Sequence, residues 1–365
     1  MIIGVPKEIK NNEYRVGLTP ASARDLIKNG HEVIVERGAG VAVDFTDSQY
    51  IDAGAKIVGS AAEIFSRSKF IIKVKEPQPK ECKMLSEGQI LFTYLHLAAD
   101  PNQAKGLIDS KCHAVAYETI TDQKGGLPLL APMSEIAGRL AVFEGAYHLK
   151  KTCGGPGSLI SGVPGVKPAK VIILGGGMVG TNAAKMAIGV GADVTIFDKS
   201  IERLRYLDDI FGNSAKVLYS EPVELKKLLK EADLVVGAVL IPGASAPKLI
   251  EKEFLSKMKK NSVLVDVAID QGGCFETSKP TTHKNPTYYE EGILHYCVAN
   301  MPGSVPKTAS YALNNVTANY ISKLAAFGLD ALDQDQNLAE GLNVSRGQIT
   351  HSAVKEALQE TVSCN

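Results

Sequence analysis

The chain carries no excess of charge of either sign: 40 basic side chains are balanced by 40 acidic ones over 365 residues. That balance argues against a nucleic-acid partner, because phosphate neutralisation needs a clear Lys/Arg excess. Long hydrophobic runs are also missing. Gly, Asp or Lys breaks the most apolar stretches within about ten residues, well short of the roughly 20 needed to span a bilayer. Lys7, Glu8 and Lys10 interrupt the apolar start at once, unlike a secretory leader. The six cysteines (Cys82, Cys112, Cys153, Cys274, Cys297 and Cys364) show no CxxC spacing. This excludes the usual zinc-ligand pattern and a disulfide framework, so no metal is expected. In a chain this long they read as reduced thiols of a cytoplasmic protein. No internal repeat and no low-complexity tract is found.

What is present is the composition of a globular enzyme or small-molecule binder, 45% hydrophobic and 22% charged, with length enough for two domains. Short apolar runs alternate with amphipathic stretches. Ile2 to Val5, Glu32 to Val35, Phe70 to Val74, Ile90 to Leu95 and Ala114 to Tyr117 read as strands. Thr19-Pro20-Ala21 reads as a helix start and Gly30 as its stop. After a Gly/Pro-rich break (Gly154 to Gly165) a second series follows: Lys170 to Leu174, Asp193 to Phe197, Asp233 to Ala238, Val263 to Val267 and His295 to Val298. One helix between successive strands predicts an α/β fold, with two doubly wound domains on parallel sheets. Apolar residues at spacings of three and four (Met133, Ile136, Leu140, Phe143, Tyr147; then Ala309, Leu313, Val316, Tyr320, Leu324, Phe327) predict two long helices connecting the domains. Residues 307–365 hold too few strand signals for a third domain. The expected division is therefore 1–131 with 307–365, and 132–306.

Lys170 to Leu174 leads straight into Gly175-Gly176-Gly177-Met178-Val179-Gly180, in which Gly175, Gly177 and Gly180 fit G-x-G-x-x-G. The first glycine makes the tight turn and the second lets the backbone approach a pyrophosphate. The third lets the helix pack close on its strand, and the helix N-terminus supplies N–H donors to the anion. The motif alone is weak; the strand before it, the helix after it and Asp198 at the end of the next strand make it a Rossmann-type dinucleotide site. A carboxylate at Asp198 accepts from both ribose hydroxyls and repels a 2′-phosphate, which favours NAD over NADP. Lys199 and Arg203 pull the other way. The bland alternative is a structural glycine turn.

Chemistry in such a fold sits at the carboxyl ends of strands. Asp270 ends the run Val263 to Asp270, ahead of Gln271-Gly272-Gly273, while Asp266 inside the strand reads as structural. Asn300 follows the next strand. Arg15 lies just before a helix, Lys75 ends the run from Phe70, and His96 ends the run from Leu91. A cation to clamp a carboxylate, a donor to polarise a carbonyl or imine, and a group titrating near neutrality would serve an acid–base reaction on a carboxylate substrate. Each residue has a plainer reading as well: Arg15 a surface ion pair, Lys75 a solvated strand end, His96 a helix cap, Asp270 a turn-capping Asp and Asn300 a turn residue.

At these residues the chain resembles the alanine dehydrogenase/transhydrogenase family over nearly its whole length. The resemblance rests on Gly4-Val5-Pro6-Lys7-Glu8, Arg15 to Pro20, Lys75-Glu76-Pro77, Thr93 to Ala98, Pro132 to Gly138, the glycine loop, Asp270 to Gly273 and Val298 to Gly303. It implies that Arg15 and Lys75 bind substrate and that His96 and Asp270 are catalytic. It also implies NAD contacts at Ser134, Gly175, Gly177, Gly180, Asp198, Arg203, Ser220, Val239, Leu240, Val267, Asp270, Val298, Asn300 and Met301. Residues 1–131 with 307–365 become the substrate domain and 132–306 the NAD-binding domain. The implied reaction is oxidative deamination of L-alanine to pyruvate and ammonium, and its reverse, by a homohexamer. Deamination is expected to be faster at alkaline pH. Rival readings are a soluble transhydrogenase-type subunit, a saccharopine dehydrogenase-like enzyme and a non-catalytic NAD-binding protein. Ser161 and Lys279 depart from the family pattern, which often has Gly at the first position and in some members Arg at the second.

Overall fold

Runs of Ile, Val and aromatic residues form the central strands, and every one of them is buried on both faces. The computed structural model describes residues 1–239 and 246–363. It divides into two compact units, Met1–Met133 with Val305–Asn365, and Ser134–Ser304. The strands are β1 (Ile2–Val5), β2 (Glu32–Glu36), β3 (Lys56–Val58), β4 (Phe70–Ile72), β5 (Ile90–Thr93) and β6 (His113–Ala116) in the first unit. The second unit holds β7 (Lys170–Leu174), β8 (Asp193–Asp198), β9 (Lys216–Tyr219), β10 (Leu234–Gly237), β11 (Val263–Asp266), β12 (Thr287–Glu290) and β13 (Ile293–Tyr296). The chain then adds β14 (Leu342–Ser345) and β15 (Gln348–Ile349) to the first unit's sheet.

The first sheet has the order β15-β14-β6-β5-β4-β1-β2-β3 and the second β12-β13-β11-β10-β7-β8-β9. Pairing is parallel except at one edge of each sheet, where β14, β15 and β12 run antiparallel. Both sheets therefore carry the doubly wound order 3-2-1-4-5-6, and the order reverses between β1 and β4 and between β7 and β10. Those switch points open a crevice beyond the carboxyl ends of the strands, where ligands bind in this architecture.

Five strands escaped the sequence reading: β3, β9, β12, β14 and β15. All lie at or next to a sheet edge, where one row of backbone groups needs no partner and side chains are partly wet, so no apolar run marks them. The helix Pro20–Lys28 begins as read, with the Thr19 side chain accepting from the Ser22 N–H and Pro20 in the first turn. The helix Ala131–His148 runs from the first unit into the second. The helix Pro306–Phe327 lies wholly in the first, so only one of the two long helices connects the units. Their apolar stripes are also less buried than the periodicity implied, since Phe143, Tyr147 and Phe327 are exposed.

Candidate active site

In the first unit, three loops leaving β1, β4 and β5 carry Arg15, Lys75 and His96 to the carboxyl edge of the sheet. Lys75 and His96 both lie beyond the strands expected to end in them, because β4 stops at Ile72 and β5 at Thr93. His96 occupies a left-handed turn (φ 48°, ψ 40°), a conformation uncommon for a side chain with a Cβ. It stands at the N-terminal end of the short 3-10 turn Leu97–Ala99, but its side chain makes no capping hydrogen bond; the helix Pro101–Ser110 is capped by Asp100, which accepts from the N–H groups of Asn102 and Gln103. Glu118, beyond β6, accepts from the backbone N–H groups of Leu95 (3.1 Å) and His96 (2.5 Å) and fixes the turn. The His96 ring lies parallel to that of Tyr94, centroids 5.9 Å apart, and the Tyr94 hydroxyl donates to the Leu129 carbonyl at 2.6 Å.

Protein packed around the ring, and then the positive charges of Lys75, Lys10 and Arg15, push the His96 imidazole down to about 3. The residue keeps an exposed surface, and that contact with water weakens the first effect. His96 is therefore neutral at pH 7 and stands among three cations.

Arg15 is no surface ion pair. Its guanidinium is buried and forked on Glu13, with Nε donating to Oε1 at 2.7 Å and Nη2 to Oε2 at 2.5 Å, and both side chains are almost fully enclosed. Burial works against the charge of Arg15, and Glu13 more than offsets it. The third nitrogen, Nη1, points to the Met133 sulfur at 3.1 Å. A thioether is a weak acceptor that a carboxylate outcompetes.

Lys75 is held by its backbone. Its N–H donates to Glu8 Oε1 at 3.2 Å and its carbonyl accepts from the Thr93 hydroxyl at 2.9 Å. The Lys10 ammonium pairs with Glu76. Glu8, Glu13, Glu118 and Lys10 thus belong to the site although sequence reasoning gave none of them a role. The only signal available was proximity, Glu13 lying two residues before Arg15 and Glu8 within a quoted motif.

In the second unit most of the residues implied for NAD contact are strung along one edge, at or just past the ends of parallel strands. Gly175, Gly177 and Gly180 follow β7, Asp198 closes β8, Ser220 follows β9 and Val239 follows β10. Val267 and Asp270 follow β11, and Val298, Asn300 and Met301 follow β13. Leu240 lies outside the described residues. Ser134 stands in the first turn of Ala131–His148, and Arg203 in that of the helix Ile201–Phe211, its guanidinium 5.2 Å from the Tyr206 ring centre. Val298 and Met301 are buried in the core, so what they offer a ligand is backbone. Asn300 repeats the left-handed backbone of His96 (φ 57°).

Asp270 is exposed in a short turn of helix, Val267–Gln271, and not on the strand, which ends at Asp266. Asp266 is structural as read: fully buried, it accepts from Ala268 N–H (3.1 Å), Cys274 N–H (2.7 Å) and Ser278 Oγ (2.5 Å), tying both ends of the loop that carries Asp270. Lys279 pairs with Glu290 at 3.3 Å, and the Ser161 hydroxyl donates to the neighbouring Gly162 carbonyl.

The glycine turn fits a dinucleotide phosphate. Gly175 is left-handed (φ 97°), and a Cβ at Gly180 would lie 1.8 Å from the Gly175 carbonyl oxygen, so the helix Met178–Gly189 packs against the turn as closely as glycine alone permits. A Cβ at Gly177 meets nothing within 4 Å: the space above the helix N-terminus is open. Asp198 accepts from Gly176 N–H at 2.7 Å and Ser200 N–H at 2.8 Å, and is thereby aimed. The two glycines should respond oppositely. Gly177→Ala should melt like the parent yet bind NADH about tenfold more weakly, a cost of about 1.4 kcal/mol. Gly180→Ala should lower the melting temperature. Fluorescence titration and thermal melts check both; unchanged NADH affinity in Gly177→Ala would leave a purely structural turn.

A neutral histidine among cations at one doubly wound edge, and a glycine turn with an aimed aspartate at another, define a dinucleotide-binding oxidoreductase. The model of the alanine dehydrogenase/PNT C-terminal domain matches residues 141–352, and that of the N-terminal domain residues 4–137. The chain belongs to the alanine dehydrogenase/PNT family. It is 56% identical to the alanine dehydrogenase of Halomonas elongata over 98% of this chain and 96% of that one. A solved L-alanine dehydrogenase covers 99% of both chains at 52% identity with a TM-score of 0.95. The transhydrogenase from Sinorhizobium meliloti shares the fold alone, at 23% identity and a TM-score of 0.83 over 96% of this chain and 100% of that one.

Proposed function

We propose that this protein is an NAD-dependent alanine dehydrogenase, converting L-alanine to pyruvate and ammonium and back. The observation that carries the reading is the cationic setting of His96: Arg15, Lys75 and Lys10 all act on an imidazole that is already in its base form. Such a site suits a small carboxylate substrate whose chemistry needs a proton acceptor. Full-length identity to proteins named alanine dehydrogenase supplies the substrate. Arg15 and Lys75 would hold the alanine carboxylate, and Asp270 shares the acid–base work. Gly175, Gly177, Gly180, Asp198, Arg203, Ser220, Asn300 and the backbone of Val239, Val267, Val298 and Met301 would hold the dinucleotide, with Ser134 beside them. Bound NAD supplies the two-electron acceptor.

Oxidation at Cα leaves an iminium. His96 takes a proton from the water that attacks it, and the carbinolamine forms. Imidazolium beside three cations is a strong acid, so it returns the proton to the amine, which departs as ammonia while the hydroxyl proton is lost and pyruvate forms. In the reverse direction the Lys75 ammonium stabilises charge on the carbonyl oxygen. Oxidation releases a net proton, so it is favoured at alkaline pH. The reading carries with it a cytoplasmic homohexamer.

The test is absorbance at the NADH band with NAD and L-alanine, beside NADP, glycine, serine and saccharopine. Alanine-dependent NADH production, reversed by pyruvate and ammonium, supports the reading. NADH production with saccharopine alone, hydride exchange between two nicotinamide cofactors without alanine turnover, or NAD binding without turnover would replace it with the corresponding rival.

A further inference from the structure

Beyond the end of β4, the segment Lys73-Val74-Lys75 keeps strand-like backbone bonds on one side only. Toward β5 it continues the ladder, Lys73 N–H donating to the Phe92 carbonyl at 3.1 Å and Tyr94 N–H to the Val74 carbonyl at 3.1 Å. Toward β1 no strand remains, since β1 ends at Val5. The Glu8 carboxylate stands in its place: Oε1 accepts from Val74 N–H (2.6 Å) and Lys75 N–H (3.2 Å). Its other oxygen accepts from the fully buried Lys73 ammonium at 2.9 Å, and Lys73 also donates to Glu81 at 2.8 Å. Both Glu8 oxygens are thus acceptors facing donors in the core, and nothing about holding a sheet edge demands an ion triad there.

We infer that Glu8, bonded to Lys73, is a positioning residue that sets where the Lys75 ammonium meets substrate. The inference rests on Lys75 binding substrate, as proposed above. Glutamine at position 8 cannot replace the carboxylate. Either its amide nitrogen faces the two N–H groups or it faces the Lys73 ammonium, and donor meets donor in both cases. The segment must then shift, and a small misplacement at a reacting centre is costly. Changing Lys73 to glutamine as well restores a complete chain of bonds. The side-chain amide at position 8 then accepts from the two N–H groups and donates to the amide oxygen at position 73. The amide nitrogen at position 73 donates in turn to Glu81.

The experiment is steady-state kinetics of pyruvate amination, with NADH affinity measured separately by fluorescence. Glu8→Gln should raise KM for pyruvate and lower kcat/KM by at least about tenfold, with NADH affinity unchanged. Glu8→Gln with Lys73→Gln should recover most of that loss. Thr93→Val, which removes the bond to the Lys75 carbonyl while keeping the buried shape, should move pyruvate kinetics in the same direction, and it decides the matter if Glu8→Gln does not fold. Parental pyruvate kinetics in Glu8→Gln, or in Thr93→Val when Glu8→Gln fails to fold, would overturn the inference. So would a loss shared equally by NADH affinity and left unrescued by the double variant. Lys75→Met run in parallel separates the two readings: parental turnover there rejects the role of Lys75 itself.

Discussion

His96→Asn is expected to lower kcat for alanine oxidation by about 10²–10⁴-fold while leaving NADH affinity and the melting temperature near those of the parent. Asparagine is the informative replacement because it tolerates the left-handed backbone of this turn better than alanine, and so removes the imidazole without adding strain. The pH dependence has a definite sign. With the His96 pKa pushed far down, the ring is a base throughout the neutral and alkaline range, so it produces no acid limb above about pH 5. Any rise of the oxidation rate toward alkaline pH then comes from the alanine ammonium, which must lose its proton before the nitrogen lone pair can support oxidation at Cα. Removing one of the flanking charges by Lys10→Met should raise the His96 pKa. A raised pKa keeps the ring protonated to higher pH, so activity is lost sooner as pH falls. Profiles of kcat/KM for the two proteins, with an NMR titration of the histidine, check this. A parental acid limb at pH 6–7 assigned to His96 by that titration would contradict the arrangement.

The glycine turn was legible because its chemistry is local: strand, turn, helix and aspartate lie within about thirty residues, and each constrains the backbone of the next. The doubly wound order followed from the alternation of buried runs with helices. Strand ends were less legible for a physical reason visible just before Lys75, where the backbone of Lys73 and Val74 keeps bonding to Phe92 and Tyr94 after its pairing to β1 has stopped. The left-handed turn at His96 leaves no mark in the sequence, since histidine there breaks the rule that would have announced it. Least legible were the carboxylates. Glu8 touches residues 65 and 66 positions away and Glu118 residues 22 and 23 positions away, so charge pattern alone reads them as surface groups. Only the fold shows that each acid fixes one of the residues on which the chemistry depends.

Arg15→Met is expected to produce two large effects with different causes. Loss of the clamp should raise KM for pyruvate by about 10²-fold, or about 2.7 kcal/mol. Loss of the counter-charge strands Glu13, whose side chain is fully buried, and breaking a buried pair by removing one partner costs about 3–5 kcal/mol of stability. Adding Glu13→Gln removes the stranded charge. The double variant should therefore recover most of the lost melting temperature and denaturation midpoint while its KM for pyruvate stays high. Arg15→Lys separates charge from geometry, because an ammonium cannot fork on Glu13 and present a third nitrogen toward Met133 at the same time. It should fold and bind pyruvate weakly. If stability and KM recovered together in the double variant, Arg15 would be a structural partner of Glu13 and the carboxylate clamp would lie elsewhere in the cationic set. If KM alone stayed raised, the buried pair is the device that turns a flexible guanidinium into a fixed receptor edge.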